Sequence, residues 1–243
     1  METFTLTRKE MAGLLLALQG SGQDNPLQVL QQAWKKTHCE AYAAGSPLPA
    51  FLSTALPPVL DKLIKGNKVR GFSLQEISAL GQLIEYSQIS MTSMQNWVKR
   101  DFKAYFECPQ VGKKYSLKQA ALLYIIDDLK ANLDFDSIRK LFDLLFCKPQ
   151  REGTQAQDDL IDPLALYAAY STLFAELEGT RHPLLEQAIR TAADKLASSF
   201  THLTDEQGEA LRNILFIAAL SIQSAYFHSL AKRYCSATLF LKG

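Results

Sequence analysis

Apolar residues in this chain recur mostly at three- and four-residue spacing and seldom alternate, so the pattern predicts helices throughout and no sheet. Met11, Leu14, Leu15 and Leu18 fall on one helical face behind Thr7 and Glu10, which have the spacing of a capping box. Gly20-Ser21-Gly22 stops that helix. Asn25-Pro26 starts the next, since proline at the first position gives up no hydrogen bond, and Leu27, Leu30, Ala33 and Trp34 form its stripe. Residues 45–58 carry four prolines and read as a connector. A short helix from about Pro58 to Gly66 follows, with Leu60, Leu63 and Ile64 inward.

The middle of the chain, residues 73–145, is organised around a second kind of pattern. Ser73 and Glu76 form a capping box for a helix with Ile77, Leu80 and Ile84 inward, ending near Glu85-Tyr86-Ser87. Ser90 then caps a second helix on which Met94, Trp97 and Val98 face inward. Thr92, Ser93, Gln95, Asn96, Lys99 and Arg100 are left facing out. Two helices joined by so short a turn cross steeply, as helix-turn-helix units do. An irregular stretch leads to Gly112-Lys113-Lys114-Tyr115. Ser116 with Gln119 opens the helix 117–131, whose paired acids Asp127 and Asp128 read as surface. Asp134 or Asp136 caps a helix bearing Ile138, Leu141, Phe142 and Leu145.

The C-terminal block continues in helices. Asp162-Pro163 starts one with Leu164, Tyr167, Ala168, Phe174 and Leu177 inward; Pro183 opens another along Leu184, Leu185, Ala188, Ile189, Ala192 and Leu196. Thr204 with Gln207 makes a fourth capping box before a helix that runs to about Phe240. Ile214, Leu215, Phe216, Ile217, Leu220 and Ile222 make its start apolar nearly all round. That implies burial on several sides, most simply as the centre of a bundle against the N-terminal helices, or else a dimer interface or effector pocket.

Charge changes this picture more than composition does. A hydrophobic share of 47% and a charged share of 21% are those of an ordinary globular protein, and a net charge of +1 excludes a globally basic one. The charge is uneven: residues 61–118 hold ten Lys/Arg against five Asp/Glu, residues 151–243 eight against eleven. Lys99, Arg100, Lys103, Lys113, Lys114 and Lys118 fall within twenty residues that contain only Asp101 and Glu107 as acids. A cationic helix followed by a cationic loop is the footprint of phosphate-backbone contact. Amides such as Gln95 and Asn96 suit an adenine edge, Lys99 and Arg100 a guanine or a phosphate, and the hydroxyls of Ser90, Thr92 and Ser93 phosphate oxygens. The same residue types also make an ordinary solvated helix face.

Other chemistries find little support. His38, His182, His202 and His228 are scattered, with no zinc-ligand spacing. The adjacent His38 and Cys39 point about 100° apart on a helix. No phosphate loop and no GxGxxG occurs, so neither an enzyme nor a cofactor is expected. Cys39, Cys108, Cys147 and Cys235 lie far apart, as reduced thiols do in a cytoplasmic protein. Leu14-Leu15-Leu16-Ala17-Leu18 is too short for a signal peptide or a span, and residues 214–230 are interrupted by Gln223, Ser224 and His228. A membrane is not an expected partner.

A helix-turn-helix, a Gly-x-x-Tyr turn, a helix opening on serine and then Asp134-Phe135-Asp136-Ser137-Ile138 together resemble the MerR-type winged helix-turn-helix. More narrowly, Met94-Gln95-Asn96-Trp97-Val98-Lys99-Arg100, Gly112-Lys113-Lys114-Tyr115-Ser116 and Gln119-Ala120-Ala121-Leu122-Leu123 are similar to a bacterial family of unknown function. That family carries a QNWVKR…KKYS signature and occurs mainly in Firmicutes. The likeness covers about residues 47–147. It implies that Ser90, Thr92, Ser93, Gln95, Asn96, Lys99 and Arg100 face DNA and that Lys113, Lys114 and Tyr115 form the wing. The turn 85–88 lacks the glycine common in MerR-type proteins, the recognition helix lacks an early arginine, and the long dimerising helix that normally follows is replaced by a loop and further helices.

The expectation is therefore an all-α protein: an N-terminal helical segment 1–66, a MerR-like helix-turn-helix domain 67–147, a linker 148–158 and a C-terminal helical bundle 159–243. Its expected function is that of a DNA-binding transcriptional regulator, with a protein-interaction module or a small-molecule sensor in the C-terminal helices as alternatives. A homodimer, an effector or a protein partner would go with such a role.

Overall fold

The computed structural model describes residues 4–21, 25–45, 47–54, 56–65, 71–106, 114–146, 160–177 and 184–242. The described residues are helical, with no named strand: α1 (Arg8–Gln19), α2 (Pro26–Thr37), α3 (Cys39–Ala43), α4 (Pro47–Ser53), α5 (Pro58–Ile64), α6 (Leu74–Gly81), α7 (Met91–Asn96), α8 (Leu117–Leu129), α9 (Phe135–Leu145), α10 (Pro163–Glu176), α11 (Leu185–Ala197) and α12 (Asp205–Lys242). All-α is the class expected.

The four capping boxes legible in the sequence all form. Thr7 with Glu10, Ser73 with Glu76, Ser116 with Gln119 and Thr204 with Gln207 each exchange side-chain and backbone hydrogen bonds, satisfying donors that a helix start leaves open. Asn25 with Gln28 makes a fifth. Asp134, rather than Asp136, caps α9 by accepting from the Ser137 amide at 2.7 Å. The connector of residues 45–58 contains more order than its prolines suggest. Pro47 begins α4, where a missing N–H costs nothing.

The chain divides into two compact units, residues 1–85 with 89–123, and residues 86–88 with 124–243. The division falls inside α8 and not at the expected linker, which lies outside the described residues. In the first unit α1 packs on α2, α2 on α3 and α5, α5 on α6, and α6 on α7. Its core includes Leu6, Met11, Leu14, Leu15, Leu60, Ile77, Leu80 and Met94, each at most 1% exposed. Arg8, 1% exposed, is buried with them, and its guanidinium donates to the Glu85 carbonyl at 2.7 Å.

Two isolated bridges hold this unit's irregular segments. Leu6 pairs in parallel with Ile84: the Leu6 amide donates to the Leu83 carbonyl at 2.7 Å, and the Glu85 amide to the Leu6 carbonyl at 2.9 Å. Phe72 pairs antiparallel with Tyr115 through bonds of 2.9 and 2.7 Å. A cavity of about 350 Å³ opens among α2, α4 and α5, lined by Leu27, Leu30, Trp34, Phe51 and Leu60 among others.

In the second unit α12 packs on α9, α10 and α11. These neighbours within its own unit bury its start. Leu211, Ile214, Leu215, Ala218, Ala219, Ser221 and Ile222 are buried, and none of the described residues after Ile222 is. Asp127 and Asp128 are buried too, at 7% and 5% exposure, against the expectation of a surface pair. Each carboxylate has a partner that sequence does not reveal: the Ser87 hydroxyl donates to Asp127 at 2.8 Å with Lys130 at 2.7 Å, and the Tyr170 hydroxyl donates to Asp128 at 2.8 Å. That pairing is what lets two adjacent carboxylates sit inside. Burial and the nearby Asp127 charge push the Tyr124 phenol above its ordinary range.

Candidate nucleic-acid interface

The candidate site is built on α6 and α7, which pack together in the first unit. α6 ends at Gly81, earlier than expected, so residues 82–90 form a nine-residue connection in place of a tight turn. The reason is non-local. Residues 83–85 are drawn into the bridge with Leu6, where the Leu83 carbonyl and the Glu85 amide are satisfied, while the Leu83 and Ile84 amides close turns onto the Leu80 and Gly81 carbonyls.

Tyr86 then takes the left-handed conformation, at φ +61°, within the turn that holds no glycine. Its ring packs edge-on against Tyr226 at 5.1 Å, a contact glycine could not make. Ser87 is held by Asp127. The connection is thus fixed at three successive points by residues far away in sequence.

Ser90 caps α7 by accepting from the Ser93 amide at 3.2 Å, and its own hydroxyl donates to the Ser93 hydroxyl at 2.9 Å. Two expected DNA-facing hydroxyls are thus engaged with each other. Met94, Trp97 and Val98 are buried as their spacing predicts. The helix does not continue regularly to Arg100, however. After Asn96 it widens into a π turn, Trp97–Asp101, closed by the Phe102 amide donating to the Trp97 carbonyl at 2.8 Å. A single widened turn keeps Trp97 and Val98 inward while Lys99 and Arg100 are both exposed. Thr92 is exposed; Ser90, Ser93, Gln95 and Asn96 are half-buried.

Lys103 is exposed on the 3-10 turn Lys103–Tyr105. Lys114 is exposed beside the Phe72–Tyr115 bridge. Among the described residues no ion pair engages Lys99, Arg100, Lys103 or Lys114. Gly112 and Lys113, the tip of the expected wing, lie outside the described residues.

Tyr115 departs from its expected place. It is buried at 9% exposure, with its ring edge-on to Phe106 at 6.5 Å and its backbone in the bridge, so it anchors the loop and does not face solvent. Antiparallel pairing with Phe72 sets the direction of its side chain, and an apolar ring turned outward would forfeit that burial. Gly71 marks how tightly this base closes: a Cβ added there would lie 2.5 Å from the Tyr115 carbonyl oxygen.

No solved structure matches the chain. The family model described as "Domain of unknown function (DUF1836)" matches residues 68–170, a span that holds α6 to α9 and half of α10. An uncharacterised protein of Bacillus subtilis (strain 168), YkrK, is 32% identical over 238 residues, covering 96% of this chain and 97% of that protein. With likeness from end to end and the family's domain at its centre, the chain belongs to the bacterial family that carries this domain of unknown function.

Proposed function

We propose that the protein is a DNA-binding transcriptional regulator, working in the cytoplasm, in which α6 and α7 act as a MerR-like helix-turn-helix. The observation that supports this reading is the set of exposed cations, with no ion pair among the described residues, on the π turn that follows α7 and on the segments beyond it. Lys99, Arg100, Lys103 and Lys114 are available for phosphate, with Thr92, Gln95 and Asn96 as candidate base or sugar contacts. Tyr115, and the mutual bond of Ser90 and Ser93, are reassigned to holding the surface together. The reading needs no catalytic group.

Its test is binding of mixed-sequence duplex DNA at low salt by the intact protein, compared with Lys99→Ala/Arg100→Ala. Loss of two phosphate contacts lowers the slope of log K against log salt by roughly two per chain. Wild-type protein that is folded yet shows no affinity at low salt overturns the reading.

A second reading is a small-molecule sensor, for which the apolar cavity of the first unit is the specific support. Expected among the C-terminal helices, the site moves in this reading to the N-terminal ones. Leu30 is 5% exposed and Trp34 8%, so a ligand there would be apolar and compact. Saturable quenching of tryptophan fluorescence by an apolar probe, reduced in Leu60→Trp, tests it; equal quenching in both proteins counts against it.

A further inference from the structure

The end of α12 leaves the bundle: its last contacts within the unit include Ser224 donating to Asn132 at 2.9 Å and the Tyr226 ring against Tyr86. Among the described residues past Ile222 none is buried, and Leu220, Phe227, Tyr234 and Leu241 are exposed at 41%, 48%, 69% and 80%. These four large apolar residues stand seven apart; Leu239 and Phe240, also exposed, lie off that line. Leu230 and Ala237, three residues on from Phe227 and Tyr234, fill the positions between them.

A strict seven-residue repeat drifts slowly around a straight helix, and the surface that follows it is another helix in a left-handed supercoil. The stripe stops where the bundle takes over: seven residues before Leu220 stands Asn213, a polar residue. We propose that residues 220–241 form a helix-on-helix seam with a second copy of this chain, making the protein a homodimer through α12. The proposal rests on α12 alone and goes beyond the DNA-binding reading.

Three observations favour a second copy over other occupants. The flanks of the seam suit a twin: Ala231 and Thr238 on one side are small and uncharged, so two helices approach closely beyond Ser224, whose hydroxyl is held by Asn132 at 2.9 Å, and no like charges meet across that side. From residue 210 onward the chain holds no acid, with Arg212, Lys232, Arg233 and Lys242 its only charged side chains, and Arg233 alone borders the stripe. Over about 32 Å, at roughly 1.5 Å per residue, the eight large side chains of two seams bring together on the order of 1,000 Å², near the lower bound of a specific interface.

A bilayer fits less well. An 18-residue window of Asp205–Leu241 has a mean hydropathy of 1.5, but a third of it is already buried inside the unit. The residues beyond Ile222 carry His228, Lys232 and Arg233 at their centre.

Sedimentation of the intact protein from about 1 to 100 µM tests the proposal, using Tyr234→Glu and Leu239→Glu. Leu239 is as exposed as Tyr234, at 70%, but lies off the stripe. Both sites are exposed within the single chain, so both variants keep the wild-type helical circular dichroism. The expected result is a mass near twice 27.1 kDa for wild type and Leu239→Glu, with the dimer at least tenfold weaker in Tyr234→Glu. A wild-type monomer throughout, equal weakening by both variants, or a dimer indifferent to Tyr234→Glu overturns it. So does a monomeric wild type that floats with phosphatidylglycerol/phosphatidylcholine vesicles, which would assign the face to lipid.

Discussion

Replacing Gly71 by alanine isolates what the Phe72–Tyr115 bridge contributes. The added Cβ would lie 2.5 Å from the Tyr115 carbonyl oxygen and 3.3 Å from its carbon, backbone atoms that no side-chain rotation can move. Ordinary contact begins near 3.4 Å, so the two segments must part by roughly 0.9 Å. Two bonds now at 2.9 and 2.7 Å would then stretch to the limit of hydrogen bonding or beyond. At about 0.5–1.5 kcal/mol each, their loss totals about 1–3 kcal/mol. The smaller freedom of alanine in the unfolded chain offsets about 0.4–1 kcal/mol of this. The expected net effect is a loss of about 1–2 kcal/mol, read as a lower urea midpoint at unchanged slope. Gly208→Ala supplies the opposite sign. It lies in α12 with nothing within 4 Å of an added Cβ, and should gain up to about 1 kcal/mol. A Gly71→Ala protein as stable as wild type, or the same response at both glycines, refutes the account of the bridge. Because Lys114 Cβ lies 3.7 Å from the new atom, Gly71→Ala should also weaken DNA binding.

Arg8→Ala should cost about 2–4 kcal/mol in chemical denaturation, since it removes a buried side chain and a charge-assisted bond to the Glu85 carbonyl; a cost under 1 kcal/mol contradicts that role. Tyr170→Phe takes the hydroxyl from the buried Asp128 carboxylate and should cost about 1–3 kcal/mol, measured as a shift in thermal midpoint; a neutral outcome means water serves Asp128 as well. Tyr124 should make the protein labile to alkali. Its phenol is raised in the folded state, so its contribution is complete below the unfolded value near 10 and is lost as pH rises above it, and Tyr124→Phe should flatten that fall. Glu76 acts at the acid end: burial pushes its carboxyl up, but bonds from Lys62 and Ser73 outweigh that and lower it. Its contribution is present above 4.5 and lost as pH falls below, so Lys62→Ala should reduce the acid sensitivity of unfolding.

What could be read from the sequence was what depends on neighbours three or four residues away. The capping boxes, the inward faces of α1, α2, α6 and α9, and the burial of Met94, Trp97 and Val98 follow from spacing alone. The length of α12 was legible for the same reason. The partners that decide the rest are distant. α6 stops at Gly81 because Leu6, nearly eighty residues earlier, takes up the Leu83 carbonyl and the Glu85 amide. Asp127 and Asp128 are buried because Ser87, Lys130 and Tyr170 converge on them, and nothing around an Asp-Asp pair announces that.

At the candidate site, α7 and the exposed cations that follow it were legible. The π turn that exposes Lys99 and Arg100 side by side was not, because Trp97 to Phe102 carries no proline or glycine to mark it. Tyr115 shows the same limit from the other side. Its place after two lysines suggests a wing, and only the pairing with Phe72 turns its ring inward.

The most direct measurement for the central claim is the salt dependence of DNA affinity for the intact protein and for Lys99→Ala/Arg100→Ala, at matched circular dichroism. The account predicts that wild type binds duplex DNA at low salt with a steep negative slope of log K against log salt. It predicts that the double variant, equally folded, binds at least tenfold more weakly, with a slope shallower by roughly two per chain. Equal affinity and slope for the two proteins, or no binding by either, would contradict it.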